Sequence, residues 1–411
     1  MRILFLNPAG GLGGAERCLV DLIASIRAYD STAHVGVLAG AEGPLLPVVE
    51  ALGAQVMHLP LAQDLAELGD SALTRGNVRA ALATARRLAW GGVHATRYAA
   101  RLRAAMHQFA PTVVHSNGIK MHLLAAAAGS PAPLIWHLRD FIGERPLVPL
   151  GMKALQWRAD ACIAMSRAVA EDARRVVPRT AMHVLYDGID TDLFAPTGKV
   201  ASLDALAGAA PAPDGCVRVG LVATYARWKG HEVVLEAARQ LATRTDASRV
   251  VFYIIGGPIY DTTSSQYTVE ELRTLASRFG IEDRVRFVPF QARIEEVYRA
   301  LDVVVHASSL REPFGRTIVE GMATGKPVIV ANGSGAAEAF ADPHDAVGVP
   351  PRDPRALAEA VRRLALDPEE RARLGRAGRR TAIERFSRGR VAREVFDIYR
   401  TAGEGTDGTT V

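Results

Sequence analysis

Glu312-Pro-Phe-Gly-Arg-Thr-Ile-Val-Glu320, continued as GMATGKPVIVANGSG to Gly335, is the most informative stretch of the sequence. Pro313 and Gly315 break the chain, and the spacing predicts a helix from about Arg316 to Thr324. Gly325 ends that helix, and Pro327 opens the apolar run PVIVAN, which reads as a buried strand. A helix start presents amides without acceptors inside the helix, here those of Gly315, Arg316 and Thr317. Glu320 stands about one and a half turns in, roughly 7 Å along the axis, and Glu312 lies on the other side of those amides. Amides donate to phosphate and carboxylates accept from hydroxyls. The layout therefore suits a ligand with sugar hydroxyls, a diphosphate and ribose hydroxyls in series. The competing reading is two glutamates around a helix cap, one of them salt-bridged.

Working outward, the same strand–helix alternation fills the chain. RILFLNP (Arg2–Pro8) reads as a buried strand, followed by a glycine loop and the helical run AERCLVDLIASIRAY. HVGVLA, AQVMHLP, TVVHSN, PLIWHLRD, DACIAMS and HVLYDG repeat the pattern. Continuous apolar strands separated by helices indicate a parallel sheet covered on both faces. DGIDTDLFAPTGKVASLDALAGAAPAPDG then reads as an interdomain connection. A second series follows in VRVGLVATY, RVVFYIIGG, RVRFVPF, DVVVHAS and PVIVAN. The expectation is two doubly wound α/β domains, 1–190 and 191–386, a closing helix over 387–402, and a disordered tail over 403–411.

Composition narrows the classes. A chain of 411 residues, 49% apolar, suits two or three domains rather than one. No run of eighteen apolar residues is present to span a membrane, and Met1–Asn7 lacks the features of a secretory signal, so a cytoplasmic location is expected. The three cysteines, Cys18, Cys162 and Cys216, form no C-x-x-C pair. They read as buried thiols rather than a disulfide or zinc framework. The net charge of +5 is unevenly spread. Ser71–Ala110 holds seven arginines and no acid, with Leu82, Leu88, Trp90, Tyr98 and Leu102 between them. That stretch reads either as a solvated face or as a peripheral contact with an anionic membrane. Nothing in the chain points to nucleic acid.

Further motifs sit at strand ends, where doubly wound sheets bind ligands. Gly10-Gly11-Leu12-Gly13-Gly14-Ala15-Glu16 opens the first helix, and Gly13 and Gly14 permit close backbone approach. A dinucleotide fingerprint would need glycine where Glu16 stands, and a carboxylate there opposes a pyrophosphate, so a nicotinamide cofactor is not expected. Tyr225-Ala226-Arg227-Trp228-Lys229-Gly230-His231 offers Arg227 and Lys229 to phosphates, or else a surface basic pair. Trp136-His137-Leu138-Arg139-Asp140 and His115-Ser116-Asn117-Gly118 bring two polar loops to one sheet edge. Asp190-Thr191-Asp192 resembles a metal-binding D-x-D, but turn and cap chemistry accounts for Asp190, and no metal site is expected.

In order and spacing these segments resemble the family 4 glycosyltransferases, retaining enzymes of the GT-B fold, over about Arg2 to Arg400. The E-x7-E element from Glu312 to Glu320, with Phe314-Gly315 inside, is the most specific part. GGAE (Gly13–Glu16), His137, Ser166, DGIDTDLFAP, Lys229-Gly230 and Gly256-Gly257 support it. The resemblance implies two Rossmann-like domains facing across a cleft, acceptor on the first and nucleotide-diphosphate sugar on the second. It implies that Glu312 bonds donor-sugar hydroxyls, that Glu320 holds the ribose, and that Lys229 and the amides after Phe314-Gly315 hold the diphosphate. It sets His137 beside the transferred sugar and implies a last helix that crosses back to the first domain. Gly13, Gly14, Arg227, Phe290, Phe314, Arg316 and Thr317 complete the expected donor contacts, and His137, Glu312 and Lys229 the catalytic set. The chain departs from the family where an arginine usually stands five positions before the lysine, since that position is Thr224. Arg227 is the candidate substitute. Pro289-Phe290 likewise replaces a usual glycine near the base. Two other readings remain open on this fold: a nucleotide-sugar epimerase, and a non-catalytic nucleotide-sugar-binding protein. The acceptor, the sugar and the base are not legible.

Overall fold

The computed structural model describes residues 1–63, 65, 78–145, 147–247, 249–258 and 265–404, without the side chains of 78–93. The chain divides into two compact units: Met1–Gly188 with the segment from Arg388 onward, and Ile189–Ser387.

Among the described residues the first unit carries seven parallel strands: β1 (Arg2–Asn7), β2 (His34–Ala39), β3 (Gln55–His58), β4 (Val113–Asn117), β5 (Leu134–Leu138), β6 (Ala161–Ala164) and β7 (Ala181–Val184). Their order is β3-β2-β1-β4-β5-β6-β7. β4, β5 and β6 are buried at every residue. This is why they read as continuous apolar runs rather than alternating ones. Strand order reverses between β1 and β4. The last helix, Arg388–Glu404, contributes Val391, Val395, Phe396 and Tyr399 to the core that holds Ile3, Phe5, Leu19 and Ile23.

The second unit carries β8 (Val217–Val222), β9 (Val250–Gly256), β10 (Val285–Pro289), β11 (Val303–His306), β12 (Val328–Ala331) and β13 (Val347–Val349). All are parallel, in the order β10-β9-β8-β11-β12-β13. The order reverses between β8 and β11. The chain enters this unit at Ile189 and leaves it at Ser387, and these two residues pair as an isolated bridge.

The segment read as an interdomain connection is packed into the second unit. Asp204, on the short helix Leu203–Leu206, accepts from Tyr253 Oη at 2.6 Å, from Arg286 and from the Ala212 amide. Arg299 donates to the carbonyls of Leu193, Ala195 and Lys199. These long-range anchors leave no local sequence pattern. Asp190 Oδ1 accepts from the Asp192 and Leu193 amides at 3.0 and 2.9 Å, the turn role its sequence suggests.

Of the basic stretch, residues 71–77 and the side chains of Arg79, Arg86, Arg87, Leu82, Leu88 and Trp90 lie outside the described residues. Where helix Val78–Phe109 is described with side chains, Tyr98, Leu102 and Met106 face the core while Arg97 and Arg101 are exposed. Gly403 and Glu404 still belong to the last helix, and 405–411 lie outside the described residues. All three cysteines are buried and form no disulfide among the described residues.

Candidate active site

The switch point of the second sheet positions the acidic cluster. The loop after β8 carries Lys229, and the loop after β11 carries Ser308 and Glu312. The loops are stitched together by backbone, with the Ser309 amide donating to the Trp228 carbonyl at 2.7 Å. Gly230 sits at φ +79°, where a Cβ would lie 1.8 Å from the Ala307 carbonyl oxygen. Only glycine permits that approach. On the far side, the Gly335 amide donates to the Glu312 carbonyl at 2.9 Å, and a Cβ on Gly335 would lie 1.9 Å from the Pro313 carbonyl oxygen.

Within this frame Glu312 Oε2 collects three donors: Lys229 Nζ at 2.7 Å, Ser308 Oγ at 2.8 Å and His306 Nε2 at 3.2 Å. Burial alone would push the carboxyl up. The Lys229 ammonium, helped by the His306 hydrogen bond, outweighs it and holds Glu312 well below the usual carboxylate range. Glu312 is thus a buried, ionised carboxylate whose Oε1 takes none of these three bonds. The Lys229 ammonium also lies 3.8 Å from the centroid of the Trp228 ring.

Helix Arg316–Ala323 starts four residues later, capped by Gly315 at φ +90°. Its first-turn amides, Arg316 and Thr317, have no acceptor within the helix. Glu320, also buried, accepts from Arg316 Nε at 2.6 Å and from Tyr298 Oη at 2.9 Å. Both glutamates are therefore fixed on either side of a helix start. The Phe314 side chain does not line this site: it is fully buried and packs against Phe386, with centroids 5.6 Å apart. Phe290 follows β10 and is exposed, beside Gly257.

Arg227 is not brought to Glu312. Its guanidinium bonds Glu271 Oε1 at 3.0 Å and lies 4.3 Å from the Tyr267 ring centroid. Two residues of sequence separation in a turn carry side chains to different sides. His306, Ser308 and Tyr298 were not singled out by sequence reasoning. The polar residues ending the apolar run DVVVHAS were the available signal for the first two.

In the first unit, Gly13 and Gly14 stand at the start of helix Gly14–Tyr29, but the Glu16 carboxylate folds back over Gly13, 2.9 Å from where its Cβ would be. That carboxylate works against an anion at this helix start. His137, on β5, is buried in a polar network at the β1/β4 switch point. His137 Nδ1 lies 2.9 Å from His115 Nε2 and 3.4 Å from Arg139, while His115 Nδ1 lies 2.7 Å from Tyr399 Oη. Arg139 also donates to Asn117 at 2.6 Å and to Asp187 at 2.8 Å, and Asn117 donates to Asn7 at 2.6 Å. Burial, then the Arg139 charge, holds His115 and His137 well below the usual imidazole range, so both are neutral. His137 Nε2 is buried and takes no partner among the described residues.

Two family models match this chain almost end to end: Glycosyltransferase Family 4 over residues 12–193, and Glycosyl transferases group 1 over 210–381. The chain belongs to the family 4 glycosyltransferases. Within that family it is 33% identical over 235 residues to a D-inositol 3-phosphate glycosyltransferase from Saccharomonospora viridis, covering 56% of this chain and 52% of the relative. An alpha-maltose-1-phosphate synthase from Mycobacterium tuberculosis is 29% identical over 322 residues, covering 71% and 79%. The chain spans about half the length of the inositol-phosphate transferases it matches. Its fold matches that of Anabaena HepE, solved in complex with UDP-glucose, with a TM-score of 0.77, 24% identity, and 98% and 100% of the two chains covered. The two Rossmann-like domains are those of the GT-B fold.

Proposed function

We propose that this family 4 member is a retaining glycosyltransferase, moving a hexosyl unit from a nucleotide-diphosphate sugar to an acceptor hydroxyl. One observation carries the reading: a buried, ionised Glu312, tied to Lys229 at the switch point, stands beside a helix start flanked on its other side by the buried Glu320. In this reading Glu312 Oε1 accepts from sugar hydroxyls and Glu320 from the ribose. Lys229 and the amides of Gly315, Arg316 and Thr317 meet the diphosphate, and His137 meets the transferred sugar.

As the sugar–phosphate bond breaks, negative charge grows on the diphosphate. Lys229 and the helix amides stabilise it where it forms, each such contact contributing roughly 3 kcal/mol, or about two decades in rate. This fixed positive potential does the work a divalent cation does elsewhere, so activity is expected to persist in chelator. The leaving phosphate takes the acceptor proton.

The donor solved with the HepE fold, UDP-glucose, is the first to test. Nucleoside diphosphate release with an acceptor panel should fall at least about a hundredfold in Glu312→Ala while the fold survives. Near-normal release would refute the assignment. The product should keep the donor's anomeric configuration, read by proton NMR. Isomerised donor without acceptor would favour the epimerase, and binding without release would favour a non-catalytic role. We assign the reaction to the cytoplasm, with the exposed Arg97 and Arg101 meeting an anionic membrane face. Vesicles with anionic lipid should then bind the chain and salt should release it. Equal binding to neutral vesicles would contradict this contact.

A further inference from the structure

We infer that Tyr399 and His115 are positioning residues that lock His137 as a neutral donor through its Nε2–H. The inference rests on the reading that His137 meets the transferred sugar, but its geometry stands apart from that reading. The chain of contacts runs Tyr399 Oη to His115 Nδ1 at 2.7 Å, then His115 Nε2 to His137 Nδ1 at 2.9 Å.

Two tautomer patterns would satisfy these distances, and both ends of the chain select the same one. At the His137 end, Arg139 Nη2 lies 3.4 Å from Nδ1, and a guanidinium only donates. That contact favours Nδ1 as an acceptor, with the His137 proton on Nε2. At the other end, the Tyr399 phenol is buried, and His115 Nδ1 is the acceptor within its reach. A buried hydroxyl proton without an acceptor costs about 1–3 kcal/mol, so Tyr399 donates and His115 Nδ1 accepts. His115 then carries its proton on Nε2 and passes it toward His137 Nδ1. Burial keeps the phenol protonated and both imidazoles neutral, consistent with that order.

The result is a buried Nε2–H on His137 with no acceptor among the described residues. Such a group is stable only because the network disfavours the other tautomer, and it is a ready donor for a ligand oxygen. The device also makes the last helix, Arg388–Glu404, part of the chemistry: its Tyr399 sets a proton position on β5, reached through β4.

The test uses the full chain labelled with nitrogen-15 histidine. Long-range proton–nitrogen correlation distinguishes the two tautomers, and His137→Asn assigns the signal. Wild type should show His137 protonated on Nε2. Tyr399→Phe keeps the ring packing and removes the donor, so it should shift His115 and His137 toward mixed tautomers. It should lower kcat about tenfold while the donor KM stays within about twofold. His115→Phe should lose more, and His115→Gln, which keeps an N–H at the Nε2 position, should recover about tenfold over it. A wild-type His137 protonated on Nδ1 would overturn the inference, as would Tyr399→Phe with unchanged tautomers or unchanged kcat. If no donor–acceptor pair turns over, the proposed activity fails, and the spectra alone still decide the relay.

Discussion

Replacing Lys229 by methionine probes the centre of the candidate site. The substitution keeps the stem's bulk and deletes the charge 2.7 Å from Glu312 Oε2. The Glu312 side chain is 9% exposed and that of Lys229 21%. Breaking a fully buried pair costs about 3–5 kcal/mol. Here Ser308 and His306 still donate and the lysine is partly solvated, so about 2–3 kcal/mol is expected. Adding Glu312→Gln removes the stranded charge and should return about 1–2 kcal/mol, and the Glu312→Gln single variant completes the double-mutant cycle that gives the pair's coupling. The pH dependence has a definite sign. In the wild type Glu312 is held below its ordinary value of 4.5, so the pair stabilises the fold above that pH and the benefit is lost as pH falls through the depressed value. Without Lys229, burial dominates and raises the carboxyl, which favours the variant as pH falls. The gap between variant and wild type should therefore be widest near neutrality and narrow toward pH 4.5. Urea unfolding followed by fluorotryptophan NMR reads this cleanly, because Trp228 is the single tryptophan between Ile189 and Ser387. A gap under about 0.5 kcal/mol, flat with pH, would refute a compensated buried pair.

Gly335→Ala puts a Cβ 1.9 Å from the Pro313 carbonyl oxygen and must shift the turn bearing Glu312. It should destabilise the second unit by about 2 kcal/mol and weaken donor binding about tenfold; donor affinity equal to wild type in a titration would contradict that. Tyr298→Phe removes the hydroxyl bond to the buried Glu320 Oε2 and should weaken nucleoside diphosphate binding several-fold and cost about 1–3 kcal/mol of stability, checked by calorimetry and thermal melting together. Acid should destabilise the first unit early. His115, His122 and His137 are held neutral by burial, His122 down to about 3, whereas in the unfolded chain each takes a proton below about pH 6.5. Stability present above that pH is lost below it, by about 1 kcal/mol per histidine between pH 6.5 and 5.5. Hydrogen exchange at β4 and β5 unchanged over that interval would count against buried neutral imidazoles.

The sheets were legible because buried parallel strands are apolar throughout and glycine or proline marks their ends. Helix Arg316–Ala323 was legible for the same local reasons, as were Glu312 and Glu320 on either side of its start. Lys229 could be singled out, but not its pairing with Glu312 across 83 residues, which adjacency of β8 and β11 produces. Arg227 shows the limit of sequence proximity: beside Lys229 in the chain, it turns to Glu271 and Tyr267. Phe314 shows another, since a motif residue can pack into the core while its neighbours surround the candidate site. The His115–Tyr399 contact spans 284 residues and depends on where the last helix docks in its own unit. No local pattern encodes it.

In the proposed function Glu312, the helix start and Glu320 form one cradle for a nucleoside diphosphate. Titration calorimetry of the full chain with uridine diphosphate, followed by the other nucleoside diphosphates, tests it directly. One-to-one binding to at least one of them is expected, weakened about tenfold or more by Glu320→Ala. Binding that Glu320→Ala leaves untouched, or no binding across the whole panel, would contradict it.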